Sequence, residues 1–322
     1  MKMLLLGLLA GLPLCAQVTI ARHGNDSISI EIGGKPFSEF HIGPDTKKPY
    51  LAPLRTAGGA VVTRTYPMSE DVPGEAHDHP HHRGLWFTHG DVNGYDFWGN
   101  EDSQKGAGKG KGFVVLRSVD RTAGGANEGT IAATFDWKTQ DGALLLTETR
   151  RMTFRGDAKV RMIDFDITLK ALQPVTFGDT KEGTLAMRLA APLEEQQPKG
   201  IAEPKRTGKM VNAAGAVGEK NVWGKQSDWV DYSGMLGGET VGIAILDYPG
   251  NPRHPTYWHS RAYGLFAANP FGVHDFENDK TRSGKMELAV GQTVRFRYRV
   301  VIHPGDASSG GVQKLYDEYA RR

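Results

Sequence analysis

Residues 160–169 read Val160-Arg161-Met162-Ile163-Asp164-Phe165-Asp166-Ile167-Thr168-Leu169. Polar and apolar side chains alternate with period two, which places Phe165, Ile167 and Leu169 on one face and Asp164, Asp166 and Thr168 on the other. A strand with one face in a core and one in water has this pattern. Upstream, Gly129–Trp137 and Ala143–Phe154 are equally strand-like, and Gln140-Asp141-Gly142 and Arg155-Gly156-Asp157 supply hairpin turns. Glu148 and Arg150 share one face of their segment, and Thr147 and Thr149 the other.

Working outward, Gly291–His303 alternates cleanly, with Val294, Phe296, Tyr298 and Val300 inward and Arg295, Arg297 and Arg299 outward. Val241–Leu246 reads as a buried strand. Towards the N-terminus, Ser27–Ile32 alternates, Gly33-Gly34 turns the chain, and Lys35–His41 returns. Lys48–Leu54 carries two prolines and is expected to be an edge or extended segment. Val61–Tyr66 is expected to be a strand. Residues 192–218 are polar and read as a surface excursion. Val312–Arg322 is a short terminal helix, and no long helical pattern precedes it. The expectation is an all-β protein: an antiparallel two-sheet sandwich, one domain over 17–322, with long loops and a short C-terminal helix.

The chain has 322 residues, with 39 basic against 37 acidic, a net charge of +2. That balance gives no footprint for nucleic acid or for an anionic membrane surface. Met1-Lys2 followed by an apolar run to Leu14 and then Cys15-Ala16-Gln17 has the layout of a signal peptide cleaved after Ala16. The run is too short to span a bilayer. A secreted or periplasmic protein is expected; lipidation at Cys15 is the alternative, disfavoured by Leu14 before it. Cys15 is the only cysteine, so after cleavage disulfides and thiolate chemistry are excluded.

Three polar constellations lie in the irregular stretches. The first, His77–Asn100, contains His77, His79, His81, His82 and His89 with Arg83, Asp91, Asp96, Trp86 and Trp98. Imidazoles suit proton transfer near neutrality, a guanidinium suits a carboxylate, and indoles offer flat faces for sugar rings. Leu85-Trp86-Phe87-Thr88-His89 alternates like a strand, with Leu85, Phe87 and His89 on one side and Trp86 and Thr88 on the other. The second constellation is Asp179, Lys181, Glu182 and Arg188, bracketed by Gly178 and Gly183. The third, Asp247–Gly264, holds Tyr257, Trp258, His259 and Arg261 among prolines and glycines. Against each stands a bland reading: loop histidines satisfying backbone, solvated turn charges, and a loop packed on its own aromatics. The lysine-rich Gln104–Gly112 stretch reads as a surface loop and lacks the spacing of a phosphate cradle.

HHRGLWFTHGDVNGYDFW, GDTKEGTLAMRL and LDYPGNPRHPTYWHSRAYGLFAANPFG resemble a bacterial family labelled PmoA-like, or "methane oxygenase PmoA", over nearly the whole mature chain. The label implies a methane-oxidising subunit. The exported, polysaccharide-degrading settings of such proteins point towards carbohydrate, and the resemblance implies a sandwich similar to the galactose-mutarotase superfamily.

The expected function is an exported carbohydrate-active enzyme, a hydrolase, lyase or epimerase acting on a glycoside or modified sugar by acid–base chemistry. Its catalytic residues would be His82, Arg83, His89, Glu182 and His259, with Glu182 as base or nucleophile and a histidine as acid. Trp86, Asp91, Asp96, Trp258, Arg261 and Tyr257 would bind a small-molecule or oligosaccharide substrate. No cofactor is expected. The alternatives are a non-catalytic sugar-binding module and a metal-dependent oxidoreductase, the latter using the alternating His77, His79 and His81 for zinc, copper or iron.

Overall fold

The computed structural model describes residues 16–322. The signal-segment and Cys15 readings fall on Met1–Cys15, outside the described residues. No helix among the described residues is long and apolar enough to cross a membrane.

Two eight-stranded sheets stack face to face, and every strand pairing is antiparallel. The first sheet runs Val18–His23, Ser27–Ile32, Lys35–His41, Tyr50–Leu51, Leu85–His89, Gly183–Arg188, Leu265–Asn269 and Tyr257–Ser260. The second runs Lys209–Asn212, Trp229–Leu236, Glu239–Asp247, Thr293–Pro304, Arg161–Ala171, Leu144–Gly156, Gly129–Thr139 and Gly112–Ala123. A small ladder joins Val175–Phe177 to Met286–Leu288, and the helix Val312–Ala320 packs Val312, Tyr316 and Tyr319 against the outside of the second sheet. The expected all-β sandwich with its short C-terminal helix is therefore the fold.

Alternation explains the core. Phe165, Ile167 and Leu169 turn inward with Phe296 and Val300 of the neighbouring strand, meeting Phe40, Phe87, Leu185 and Phe266 of the first sheet. Rings interlock across the gap: Phe40 meets Phe135 at 6.2 Å, and Phe87 meets Phe296 at 5.7 Å. Fully burying one such side chain is worth roughly 1.5–3 kcal/mol. Glu148 and Arg150 also face inward: Arg150 Nε donates to Glu148 Oε1 at 2.6 Å, Trp137 Nε1 donates to Oε2 at 2.8 Å, and the guanidinium lies over Phe135. The sandwich thus encloses an ion pair.

Two local expectations need correcting. Val61–Tyr66 is not a strand. It makes only isolated bridges, Arg55 to Val61 and Thr63 to Leu189, because the amides of Thr65 and Tyr66 donate to the Glu75 carboxylate instead of to a partner strand. Lys48–Leu54 does not lie at an edge. Tyr50–Leu51 pairs on both sides, with Phe40–His41 and with Leu85–Trp86, while Pro49 and Pro53 keep it to two residues.

Candidate functional site

The strand Leu85–His89 has two faces with different neighbours. Leu85 and Phe87 enter the sandwich core; Trp86 points out of the opposite face of the first sheet. Residues directly paired across a sheet share a face. The register therefore runs Trp86, Ala186, Ala267, His259 across four strands. Two fully buried alanines lie between the indole and the imidazole, and long loops pack over this face of the sheet. The result is a cleft of about 380 Å³ lined by His79, His81, His82, Asp96, Trp98, Gly99, Gln104, Lys181, Glu182, His259, Arg261 and Tyr263. All three sequence constellations meet here, although nearly 180 residues separate His82 from Arg261.

Three histidines of the cleft, His259, His81 and His82, are each held in one tautomer by a partner. His259 Nδ1 donates to the Lys181 carbonyl at 2.7 Å, so its Nε2 carries the lone pair. Burial, against that hydrogen bond, lowers its pKa to about 4. His81 has the reverse tautomer. The Gln104 carbonyl accepts the Glu101 amide, which fixes the side-chain amide, and Gln104 Nε2 then donates to His81 Nδ1 at 2.7 Å. His81 therefore keeps its proton on Nε2, and burial followed by the Lys48 charge pushes its pKa down to about 2. Arg188 Nη1, which can only donate, faces His82 Nδ1 at 3.3 Å, so His82 also carries its proton on Nε2. Burial, with His81 and Arg188 next, holds His82 well below the ordinary imidazole value.

Glu182 sits at the rim, its carboxylate oxygen 3.9 Å from Lys181 Nζ. Burial pushes its carboxyl above the usual range, Lys181 opposes, and the nearby Asp96 charge adds to the rise. Asp96 Oδ1 accepts the amides of Trp98 and Gly99, which turns that loop into the cleft. Arg261 Nε lies 2.9 Å from Glu219, and its guanidinium stands over Tyr263. His79 stacks between His82, at 4.8 Å, and Tyr263, at 5.6 Å, with Asp78 2.9 Å from its Nδ1.

Of the eleven residues expected at the site, His82, Asp96, Glu182, His259 and Arg261 line the cleft. Six lie elsewhere. His89 points into the core beside Phe177 and Phe271, with Nε2 donating to the Gly178 carbonyl at 2.8 Å. Arg83 makes a two-point pair with Glu101 over Tyr50. Trp86 is under the floor, stacked on His82 at 5.2 Å. Asp91 ties the Gly94 amide. Trp258 alternates into the core and donates to the Ser227 carbonyl, and Tyr257 packs on Phe276 with its hydroxyl on Glu277. His79, read in sequence as one of three alternating imidazoles, forms part of the cleft wall. Gln104 and Tyr263 were not anticipated. Tyr263 sits in the same RAYG run as Arg261, which was the available signal. Among the described residues no three of His, Cys, Asp or Glu are grouped to hold a metal ion.

The sequence matches, over residues 27–317, a family of unknown function (DUF6807). That match corrects the PmoA-like assignment, and the methane-oxidising label that would have supported a metal-dependent oxidoreductase falls with it. No curated protein matches the sequence. Among solved structures, a galactose mutarotase-like protein from Clostridium acetobutylicum is 11% identical, with 90% of this chain and 99% of that one covered and a TM-score of 0.41. A galactose mutarotase related enzyme from Lactobacillus acidophilus is 8% identical, with 89% and 97% covered and a TM-score of 0.33. An α-galactosidase from Geobacillus stearothermophilus solved with raffinose is 9% identical, with 90% and 40% covered and a TM-score of 0.36. The strand pairings themselves establish the sandwich; these likenesses add no argument about activity.

Proposed function

Since the chain belongs to the DUF6807 family, whose function is unknown, we propose a reading from the cleft itself: an exported enzyme that acts on a carbohydrate by acid–base chemistry. The observation that carries it is a pair of groups in one cleft whose ordinary order of acidity is reversed. Glu182 is biased towards its protonated form, and His259 is fixed as a free base with its lone pair on Nε2. Environments that separate two titratable groups in this way divide acid from base. The roles are then the reverse of those expected from sequence. The buried histidines are neutral at neutral pH and cannot serve as proton donors, so Glu182 is the acid and His259 the base. Lys181 and Arg261 can stabilise negative charge that develops between them. Trp98 and Tyr263 are the aromatic rings that line the cleft, in place of the Trp86 and Trp258 expected for stacking. Export rests on the Met1–Ala16 pattern.

The test is turnover of a broad panel of polysaccharides and glycosides by wild type, Glu182→Gln and His259→Ala. A positioned acid or base contributes roughly 10²–10⁴-fold, so each variant is expected to lose at least about a hundredfold. Equal turnover by wild type and Glu182→Gln, or no turnover across the panel, overturns the reading. Saturable glycan binding without product would instead describe a binding module.

A further inference from the structure

Hydrogen-bond donors gather at the inner end of the cleft without acceptors. The indole Nε1 of Trp86, the indole Nε1 of Trp98 and the imidazole Nε2 of His82 are each buried with no hydrogen-bond partner, and the three residues are 1–2% exposed. Their rings touch: Trp86 to Trp98 at 5.2 Å, His82 to Trp86 at 5.2 Å and His82 to Trp98 at 5.8 Å. An indole nitrogen can only donate, and His82 must carry its proton on Nε2 because Arg188 faces Nδ1. His81 adds a fourth donor, since Gln104 occupies its Nδ1. Buried donors are nearly always satisfied, and a group of them left open marks a place where an acceptor belongs. Of the four residues, His81, His82 and Trp98 line the cleft directly.

Two buried basic side chains stand behind these donors. Lys48 is buried, donates from Nζ to the Trp98 carbonyl at 2.9 Å and to Asn100 Oδ1 at 2.8 Å, and has no carboxylate within ion-pair distance among the described residues. Arg188, fully buried, stands behind His82 with Asp78 3.1 Å away. Of the cleft's carboxylates, Asp96 lies close enough to act on both Glu182 and Lys48, and its Oδ1 is occupied by two backbone amides. The inner end of the cleft is thus rich in N–H groups, with the Lys48 and Arg188 side chains behind them.

We propose that this inner end receives an anionic oxygen group, so that the carbohydrate bound in the cleft is an acidic sugar, carrying a carboxylate or a sulfate ester. Carboxylate and sulfate oxygens accept several N–H bonds at once, which neutral hydroxyls do less well, and the basic Lys48 and Arg188 side chains stand behind these donors. The inference rests on the carbohydrate reading above and refines it.

Calorimetric titration of wild type with glucuronate, galacturonate, glucose, galactose and glucose 6-sulfate tests it. The charged sugars are expected to bind at least tenfold more tightly than the neutral ones. Preference for the uronates assigns a carboxylate, and preference for the sulfated sugar assigns a sulfate ester. Trp98→Phe keeps an aromatic ring and removes one N–H; it is expected to lose at least tenfold in charged-sugar affinity, with thermal unfolding confirming its fold. Equal affinity for charged and neutral sugars, or no binding of the charged ones, overturns the proposal, and the wild-type ratio alone decides this if the variant does not fold. Neutral glycosides turned over by wild type and not by Glu182→Gln would leave the enzyme reading standing even then.

Discussion

His89 offers a sharp test of the division between core and cleft. Its imidazole is fully buried, donates from Nε2 to the Gly178 carbonyl and has no partner at Nδ1, and burial lowers its pKa from 6.5 to about 4. The native state therefore refuses a proton that the unfolded chain accepts. Where the unfolded state binds more protons, stability rises with pH, so this group's contribution is intact above pH 6.5 and is lost as the pH falls towards about 4. Each pH unit in that window costs about 1.36 kcal/mol, so between pH 6.5 and about pH 5 His89 alone removes about 2 kcal/mol. His89→Gln can still donate to the carbonyl but does not titrate. Groups common to both proteins cancel in the comparison. Urea unfolding followed by tryptophan fluorescence at the two pH values should show the wild type losing about 2 kcal/mol more than the variant, with unchanged slopes. Parallel losses would mean that His89 is protonated in the native state, and its placement in an apolar core would be wrong.

Two further outcomes follow from the ionisable groups. If His259 is the base and Glu182 the acid, turnover should rise with pH through about 4 as His259 loses its proton, and fall again above the raised Glu182 value, giving an optimum on the acid side; a profile flat across pH 4–8 refutes this assignment. Glu148→Ala leaves the Arg150 charge uncompensated between Phe40, Phe87 and Phe135 and should cost about 3–5 kcal/mol in denaturant unfolding, whereas the apolar double replacement Glu148→Leu with Arg150→Met should cost less than the single change.

Period-two reading was enough for the sandwich, because alternation reports directly which face of a strand is buried. It held for Arg161–Ala171 and Thr293–Pro304, and it even separated His89 from Trp86 within LWFTH. It failed at Val61–Tyr66, where apolar β-branched residues precede a segment whose amides bind a carboxylate ten residues on. The site was legible as residue types and not as partners. Trp258 and His259 are equally plausible in sequence, yet alternation sends one to the core and the other to the cleft once the pairing with Leu265–Asn269 is known. The tautomers of His81 and His259 depend on Gln104 and on the Lys181 carbonyl, contacts that no local spacing encodes.

The alanine row beneath the cleft separates what in this protein can adapt from what cannot. Ala186 and Ala267 are set in strands whose reverse sides, Leu185, Met187, Phe266 and Ala268, are locked into the close-packed interior. The floor cannot yield to a larger ligand without disturbing the whole sandwich. The walls, by contrast, are loops: His79 at a left-handed turn, with φ of 43°, and Tyr263 on a tight return. The sheet beneath the cleft is therefore a fixed base, while the fit of a ligand is left to loop side chains that evolution can exchange without refolding the molecule.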